Sequence, residues 1–178
     1  MRLIITRHGE TDWNAMHRIQ GVTDVAMNAR GIAQAEALAE ALADVGIDAI
    51  YSSDLSRAAH TADAVARKKP GLSPVFTDLL RERNWGALEG KTRGEIAVEF
   101  PELTPRIFGG HMDFTPEGGE SRIEVLRRVN TFLDDILGKR IAREDETDAI
   151  LIVTHVGICG LMIKRFLGID PAARTPFR

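Results

Sequence analysis

The chain has 178 residues, 44% of them hydrophobic, and a formal net charge of -3 with acidic and basic residues interspersed. This is the size and balance of one globular domain spanning residues 1–178, able to bury about 70% of its unfolded surface, and it lacks the general basic footprint of a nucleic-acid-binding protein. A single cysteine, Cys159, excludes an intramolecular disulfide, no Cys-x-x-Cys pair or close histidine cluster offers a structural zinc site, and the N-terminal apolar run is too short for a signal peptide or membrane span, so a cytoplasmic location is expected.

Positions 3 to 6 are aliphatic or β-branched and predict a strand covered on both faces, which stops abruptly at Arg7-His8-Gly9. Gly9 allows the backbone to turn or to approach a ligand, so this strand end presents a cation and an imidazole to a loop. Residues 9 to 30 are polar and irregular, and a loop of that length in a compact domain is usually functional. Ile32, Ala35, Leu38, Ala39, Leu42 and Val45 recur at helical spacing and Gly46 is placed to end that helix. A short strand follows within 47 to 52 and ends in Ser52-Ser53-Asp54. The next helix is expected near Ser56 as N-cap, with Arg57 in its first turn, and to run to about Lys69 before Pro70-Gly71. An arginine there opposes the helix dipole, which suggests an anion opposite it.

Pro74-Val75-Phe76-Thr77 reads as a strand, and 79 to 90 as a loop that places side chains. A short helix covers 93 to 100, and 101 to 119, rich in Pro and Gly, is expected as a surface loop or lid. Ser121-Arg122-Ile123-Glu124 is a capping box, after which Ile123, Leu126, Val129, Leu133, Ile136 and Leu137 keep helical spacing to Gly138. The charged run 139 to 148 reads as a solvated connection. Residues 149 to 154 form the most evident buried strand, ending at His155 with Gly157 two residues later, and a last helix spans 158 to 167.

Strands alternating with helices imply a largely parallel sheet with helices on both faces, and ligands bind such sheets beyond the carboxyl ends of the strands. His8 and His155 both fall there, with Arg57 at the next rim position. Two arginines and two histidines without a matching cluster of aspartates favour an anion, and the planar guanidinium fork suits phosphate. Phosphoryl transfer from such a site needs a nucleophile, which a neutral imidazole can be, and cations to hold the charge: Arg7, Arg57 and a protonated His155. It also needs an acid, and the residues alone leave Glu10, Glu82 and Glu89 open.

Thr6-Arg7-His8-Gly9-Glu10-Thr11 resembles the signature of the histidine phosphatase superfamily, the phosphoglycerate mutase-like proteins. Asn14, Arg18 and Gln20-Gly21 are similar to that family's phosphate and substrate positions, 52 to 58 to its second-arginine segment, and Leu80-Arg81-Glu82 with Gly86 and Glu89-Gly90 to its acid motif. Gly118-Gly119-Glu120-Ser121 and Val153-Thr154-His155-Val156-Gly157 resemble its later blocks, in the family's order. The resemblance implies a three-layer α/β sandwich with a mostly parallel central sheet. It implies His8 as nucleophile and phosphohistidine, Glu82 as proton donor, Arg7, Arg57 and His155 on the phosphoryl group, and no metal. The backbone behind His8 is expected to fix its tautomer.

Trp13 and Trp85 flank the proposed site, with Trp85 expected in the leaving-group pocket. His17, His60 and His111 match no catalytic position, Glu89 reads as a structural partner in its loop, and Cys159 as a small core residue. Within the family, mutases carry adjacent arginines after the acid motif. Here 91 to 119 offers Lys91, Arg93, Arg106 and His111 but no adjacent pair. A phosphomonoesterase of histidine acid type is therefore preferred, acting on a small phosphorylated metabolite and releasing phosphate without a cofactor. The alternatives are a phosphoglycerate mutase using 2,3-bisphosphoglycerate and a non-catalytic phospholigand-binding module. Neither nucleic acid nor membrane is an expected partner, while a homodimer stays open. Family members usually continue past the last helix into a further short segment, whereas this sequence ends at Arg178.

Overall fold

The computed structural model describes residues 2–138 and 149–173. The run 139 to 148, expected as a solvated connection, and the end of the chain at 174 to 178 lie outside the described residues.

The organising strand is β4 (Ala149–Thr154), buried at every position. A near-continuous Ile-Leu-Ile-Val run suits a strand covered on both faces, as in parallel sheets. It pairs in parallel with β1 (Arg2–Arg7) on one side and β2 (Ala49–Ser53) on the other, and β2 pairs with β3 (Val75–Thr77), giving the order β1-β4-β2-β3. The alternation of side chains divides the core into two layers. Leu3, Ile5, Ile150 and Ile152 face one way, with Val129 and Phe132 of α6 (Arg122–Phe132) and Ile158 and Met162 of α7 (Val156–Phe166). Ile4, Ile50, Leu151 and Val153 face the other, where α2 (Ala29–Ala41) and α3 (Ser56–Ala66) cover them with Ala35, Ala39, Ala58, Ala62 and Val65. The fold is thus the expected α/β arrangement of a parallel sheet between helical layers.

Several expectations need correction. The first strand is half-buried rather than covered throughout, because it lies at the edge of the described sheet. The irregular stretch 9 to 30 contains a one-turn helix, α1 (Asp12–Ala15), capped by Thr11 with Asn14 reaching back in place of the usual Glu or Gln. α2 begins at Ala29 behind the N-cap Asn28 and stops at Ala41, and Ile32 lies on its solvent side. Ser56 is the first residue of α3 rather than its cap: Leu55 holds the cap position, and the Ser56 hydroxyl and N–H both donate to Asp24. α3 ends at Ala66, short of the proline. The α6 capping box is present as expected, but Ile123 is exposed while Val125 is buried, and after Phe132 the chain continues as a π turn, Leu133–Leu137.

The expected lid is more than a loop. It holds α5 (Thr104–Phe108), and with α4 (Arg93–Glu99) it encloses a third, smaller apolar cluster of Leu88, Ile96, Ile107 and Phe114. Burial of these four side chains ties the insert to the domain and sets the far wall of the site. Among the described residues, no helix is long and apolar enough to cross a membrane.

Candidate active site

The two histidines meet because their strands are neighbours in register. Arg7 lies opposite Thr154, and His8 continues the ladder by donating its backbone N–H to the Thr154 carbonyl at 3.0 Å. The next residue of each strand is therefore an imidazole, and the two ring centroids lie 5.1 Å apart. His8 Nδ1 is 2.6 Å from the Gly9 carbonyl, which can only accept, so Nδ1 carries the proton and Nε2 keeps its lone pair. Gly9 has no room for a side chain, since a Cβ there would lie 2.3 Å from the Gly31 carbonyl oxygen. The start of α2 thus presses directly on the turn behind His8.

Arg57 is fully buried in the first turn of α3. Its Nη1 donates to the Thr23 carbonyl at 2.9 Å and its Nη2 to the Gly21 carbonyl at 2.7 Å, so it gathers the 20s loop over the sheet. Glu89 clamps the same loop from the other side, accepting from the backbone N–H groups of Val22, Thr23 and Trp85 and from the Thr23 hydroxyl. That is the structural role expected of Glu89. Glu10 is likewise removed from the chemistry, accepting from Asn28 and pairing with Arg30.

Glu82 is the one of the three acids that reaches the site. Its Oε1 accepts from the Arg83 N–H at 2.9 Å and its Oε2 from the Gly157 N–H at 3.1 Å, on the turn that follows His155. A Cβ on Gly157 would come within 2.4 Å of Oε1, so glycine there leaves space for the carboxylate. Thr154 secures the same junction by donating its hydroxyl to the Leu80 carbonyl at 2.7 Å.

Arg7, His8, Asn14, Arg18, Gln20, Gly21, Arg57, Glu82, Trp85 and His155 all line one cavity of about 380 Å3. Three buried side-chain atoms lack a hydrogen-bond partner among the described residues, and all three belong to this wall: Arg57 Nε, His155 Nδ1 and Gln20 Oε1. His155 Nε2 lies 2.9 Å from the Ser53 hydroxyl. If that hydroxyl donates, Nδ1 bears a proton with nothing to receive it. The Gln20 amide can present either its oxygen or its NH2 by a flip. An unpaired buried donor is costly, and with that tautomer Arg57 Nε and His155 Nδ1 would both be free to donate to an anion.

Arg18 is committed differently from expectation. Its Nη1 donates to the Gly90 carbonyl at 2.5 Å and pairs with Glu95 at 3.0 Å, so it braces the loop at the cavity wall as much as it faces a ligand. Trp13 does not line the cavity but lies against Gly90. His17, His60 and His111 are exposed and outside it. Cys159 is half-buried, and burial pushes its thiol up to about 12. Sequence reasoning missed Arg83 and Arg122, and mentioned Arg93 without placing it in the site; all three line the same cavity. Arg93 and Arg122 open α4 and α6, where a cation opposes the dipole, the same signal that singled out Arg57.

Burial lowers the His8 imidazole to about 3, with Arg7 and Arg57 adding to the effect against the Gly9 hydrogen bond. Burial, then Arg57 and His8, hold His155 well below its ordinary value. Burial thus favours the neutral form of both rings at pH 7. The protonated His155 expected from the sequence would need an anion to offset the arginines and favour its charged form. The sign for stability follows: the unfolded chain binds the protons first, so the His8 contribution is fully present above the ordinary value of 6.5 and is lost as pH falls towards about 3. The slope is about 1 kcal/mol per pH unit for each such histidine. Thermal melts of wild type should lose stability between pH 6.5 and 4.5 faster than those of His8→Asn, which cannot titrate; parallel curves would refute the assignment.

The comparisons with known proteins agree with this geometry. Residues 3–178 match the Histidine phosphatase superfamily (branch 1). The sequence is 37% identical over 166 residues to Phosphoglycerate mutase-like protein 4 of Arabidopsis thaliana, covering 92% of this chain and 70% of that one. The structure is similar to that of a putative alpha-ribazole-5'-P phosphatase from Escherichia coli, with a TM-score of 0.85 and 30% identity over 97% of this chain and 82% of the other. It is also similar to mycobacterial glucosyl-3-phosphoglycerate phosphatase, with a TM-score of 0.83 and 30% identity over 96% and 82%. The chain belongs to the histidine phosphatase superfamily, with a phosphoglycerate mutase-like α/β fold, and is an enzyme of the phosphatase or mutase type.

Proposed function

We propose that this protein is a cytoplasmic phosphomonoesterase that cleaves a small phosphorylated metabolite through a phosphohistidine at His8, without a metal. The observation that carries the reading is the pair of unpartnered buried nitrogens, Arg57 Nε and His155 Nδ1, in one cavity with an imidazole whose Nε2 lone pair is left available. His8 Nε2 forms a bond to phosphorus as the ester oxygen leaves, and Glu82 delivers a proton to that oxygen. Water then attacks phosphorus, Glu82 takes a proton from it, and the N–P bond breaks to restore the imidazole and free phosphate. Arg7 and Arg57 hold the charge on the equatorial oxygens, the part that magnesium plays in many phosphoryl transferases. His155 joins them by donating from Nδ1.

The purified protein should hydrolyse para-nitrophenyl phosphate at a rate that excess EDTA leaves within twofold. Loss of activity in EDTA and its return with a divalent cation would overturn the metal-free reading. The names of the mutase-like relatives favour one second reading, a mutase that returns the phosphoryl group to an acceptor. Isomerisation of phosphoglycerate that depends on 2,3-bisphosphoglycerate and outruns hydrolysis would establish it instead.

A further inference from the structure

Glu82 sits in a stretch, 81 to 85, that belongs to no helix or strand, so no regular element fixes the direction of its side chain. One guanidinium does so instead. Arg128, on α6, donates from Nη1 to the Arg81 carbonyl at 2.6 Å and from Nη2 to the Glu82 carbonyl at 3.0 Å. Those carbonyls belong to the two peptide planes on either side of the Glu82 Cα. We infer that Arg128, aligned by Glu120, is the positioning residue of the acid: it sets the Glu82 backbone so that the carboxylate is aimed at the leaving oxygen. The inference rests on the phosphomonoesterase reading, in which Glu82 delivers that proton.

The loop leading to the acid has little freedom left. Arg128 Nη1 also holds the Leu79 carbonyl at 2.9 Å, the Thr154 hydroxyl holds that of Leu80, and the Arg81 N–H holds that of Asp78, so each carbonyl from 78 to 82 has a donor. Peptide units are planar, so fixing the planes before and after Glu82 fixes its φ and ψ and with them the direction of its Cα–Cβ bond. The carboxylate then falls on the N–H groups of Arg83 and Gly157. The guanidinium is itself aligned by Glu120, whose Oε1 accepts from Nε at 3.0 Å and whose Oε2 accepts from Nη2 at 3.1 Å. Glu120 also closes the loop beyond the acid, its Oε2 accepting from the Asn84 N–H and its own N–H donating to the Asn84 carbonyl, both at 2.9 Å.

Arg128 does not line the cavity, and only 15% of its side chain is exposed, so it acts on the reaction through Glu82 and not by touching a ligand. The task demands a planar fork. A guanidinium can hold two carbonyls and a carboxylate in one plane, whereas a lysine ammonium keeps the charge without that geometry. Misplacing a reacting group by about 1 Å costs on the order of a hundredfold in rate, which sets the size of the expected effect.

Arg128→Lys tests this with two esters. Its kcat/KM should fall about a hundredfold for glycerol 2-phosphate, which needs the proton, and stay within about threefold for para-nitrophenyl phosphate, which does not, with inhibition by phosphate unchanged. In a Glu82→Gln background the same substitution should cost less than about twofold further on the alkyl ester, because the group it positions is already gone. Glu120→Gln, which loosens one edge of the guanidinium while Arg128 stays in place, should show the same leaving-group pattern at smaller amplitude and carries the test if Arg128→Lys does not fold. A readout without turnover is the NMR resonance of the Gly157 amide, which donates to the Glu82 carboxylate. Arg128→Lys should move it to where Glu82→Ala places it, while the Cys159 amide, bonded to the His155 carbonyl one turn on, stays put. If wild type hydrolyses neither ester, the phosphomonoesterase reading fails and the placement of Glu82 by Arg128 is decided by that resonance alone. Equal losses on both esters, a full additional loss in the Glu82→Gln background, or an unmoved Gly157 resonance would each overturn the positioning role.

Discussion

Replacing His8 by alanine is expected to lower kcat for any phosphomonoester by about ten-thousand-fold or more while the protein stays folded and still binds phosphate. Without the imidazole no N–P bond can form, and water would have to attack phosphorus directly from a position that the cavity does not prepare. The residual rate would come from charge stabilisation by Arg7 and Arg57, which the substitution leaves in place. Folding should survive because, among the described residues, the buried neutral His8 at the end of β1 makes no ion pair, and its one side-chain bond is to the adjacent Gly9 carbonyl. Steady-state hydrolysis of para-nitrophenyl phosphate gives the rate, and an alkaline quench with labelled substrate gives the intermediate. Wild type should yield an acid-labile, alkali-stable phosphoenzyme that His8→Ala lacks. A variant within tenfold of wild type, or brisk wild-type turnover with no labelled protein in the burst, would point to direct attack by water and end the covalent mechanism.

The place of His8 could be read from the sequence because it is a consequence of strand pairing. An apolar run ending in Arg7-His8 and another ending in His155 must deliver their imidazoles to the same rim if the strands are parallel, and β1 and β4 are adjacent. Glu82 was harder. Nothing in its own loop separates it from Glu89, and what distinguishes them is which backbone donors each carboxylate meets: Gly157 and Arg83 for Glu82, Val22 and Thr23 for Glu89. Those are contacts between segments distant in sequence, which periodicity does not encode. Helical spacing located α2 and α6 but misjudged the margins of their buried faces. Ile32 and Ile123 sit on the solvent side, while Val125, absent from the predicted stripe, is buried. The far wall was obscured for another reason. A search for adjacent arginines presumes that neighbours in space are neighbours in sequence, but Arg83, Arg93 and Arg122 come from three separate segments and line one cavity. The local sign was present, since an arginine opening a helix is electrostatically unfavoured unless something negative is to face it.

Glu82→Gln should separate the two halves of the chemistry by leaving group. For an alkyl phosphate, whose alkoxide cannot depart without a proton, loss of the acid should reduce kcat/KM by about a thousandfold, within the range of roughly 100- to 10,000-fold typical of general acid catalysis. For para-nitrophenyl phosphate the phenolate leaves unaided, so formation of the phosphohistidine should be much less affected. Its hydrolysis would then lose the base that activates water, and the nitrophenyl ester should show a burst followed by a slow steady state with phosphoenzyme accumulating. The substitution also has a structural cost. The carboxylate accepts from Arg83 N–H through one oxygen and from Gly157 N–H through the other, and the glutamine NH2 cannot accept from either. Displacement of the Gly157 turn would disturb His155 and slow both esters alike. The ratio of the two losses therefore isolates the proton transfer from the packing: a steep dependence on leaving group assigns the acid to Glu82. Equal losses on both esters would reduce Glu82 to a brace for the His155 turn and require the proton to come from elsewhere.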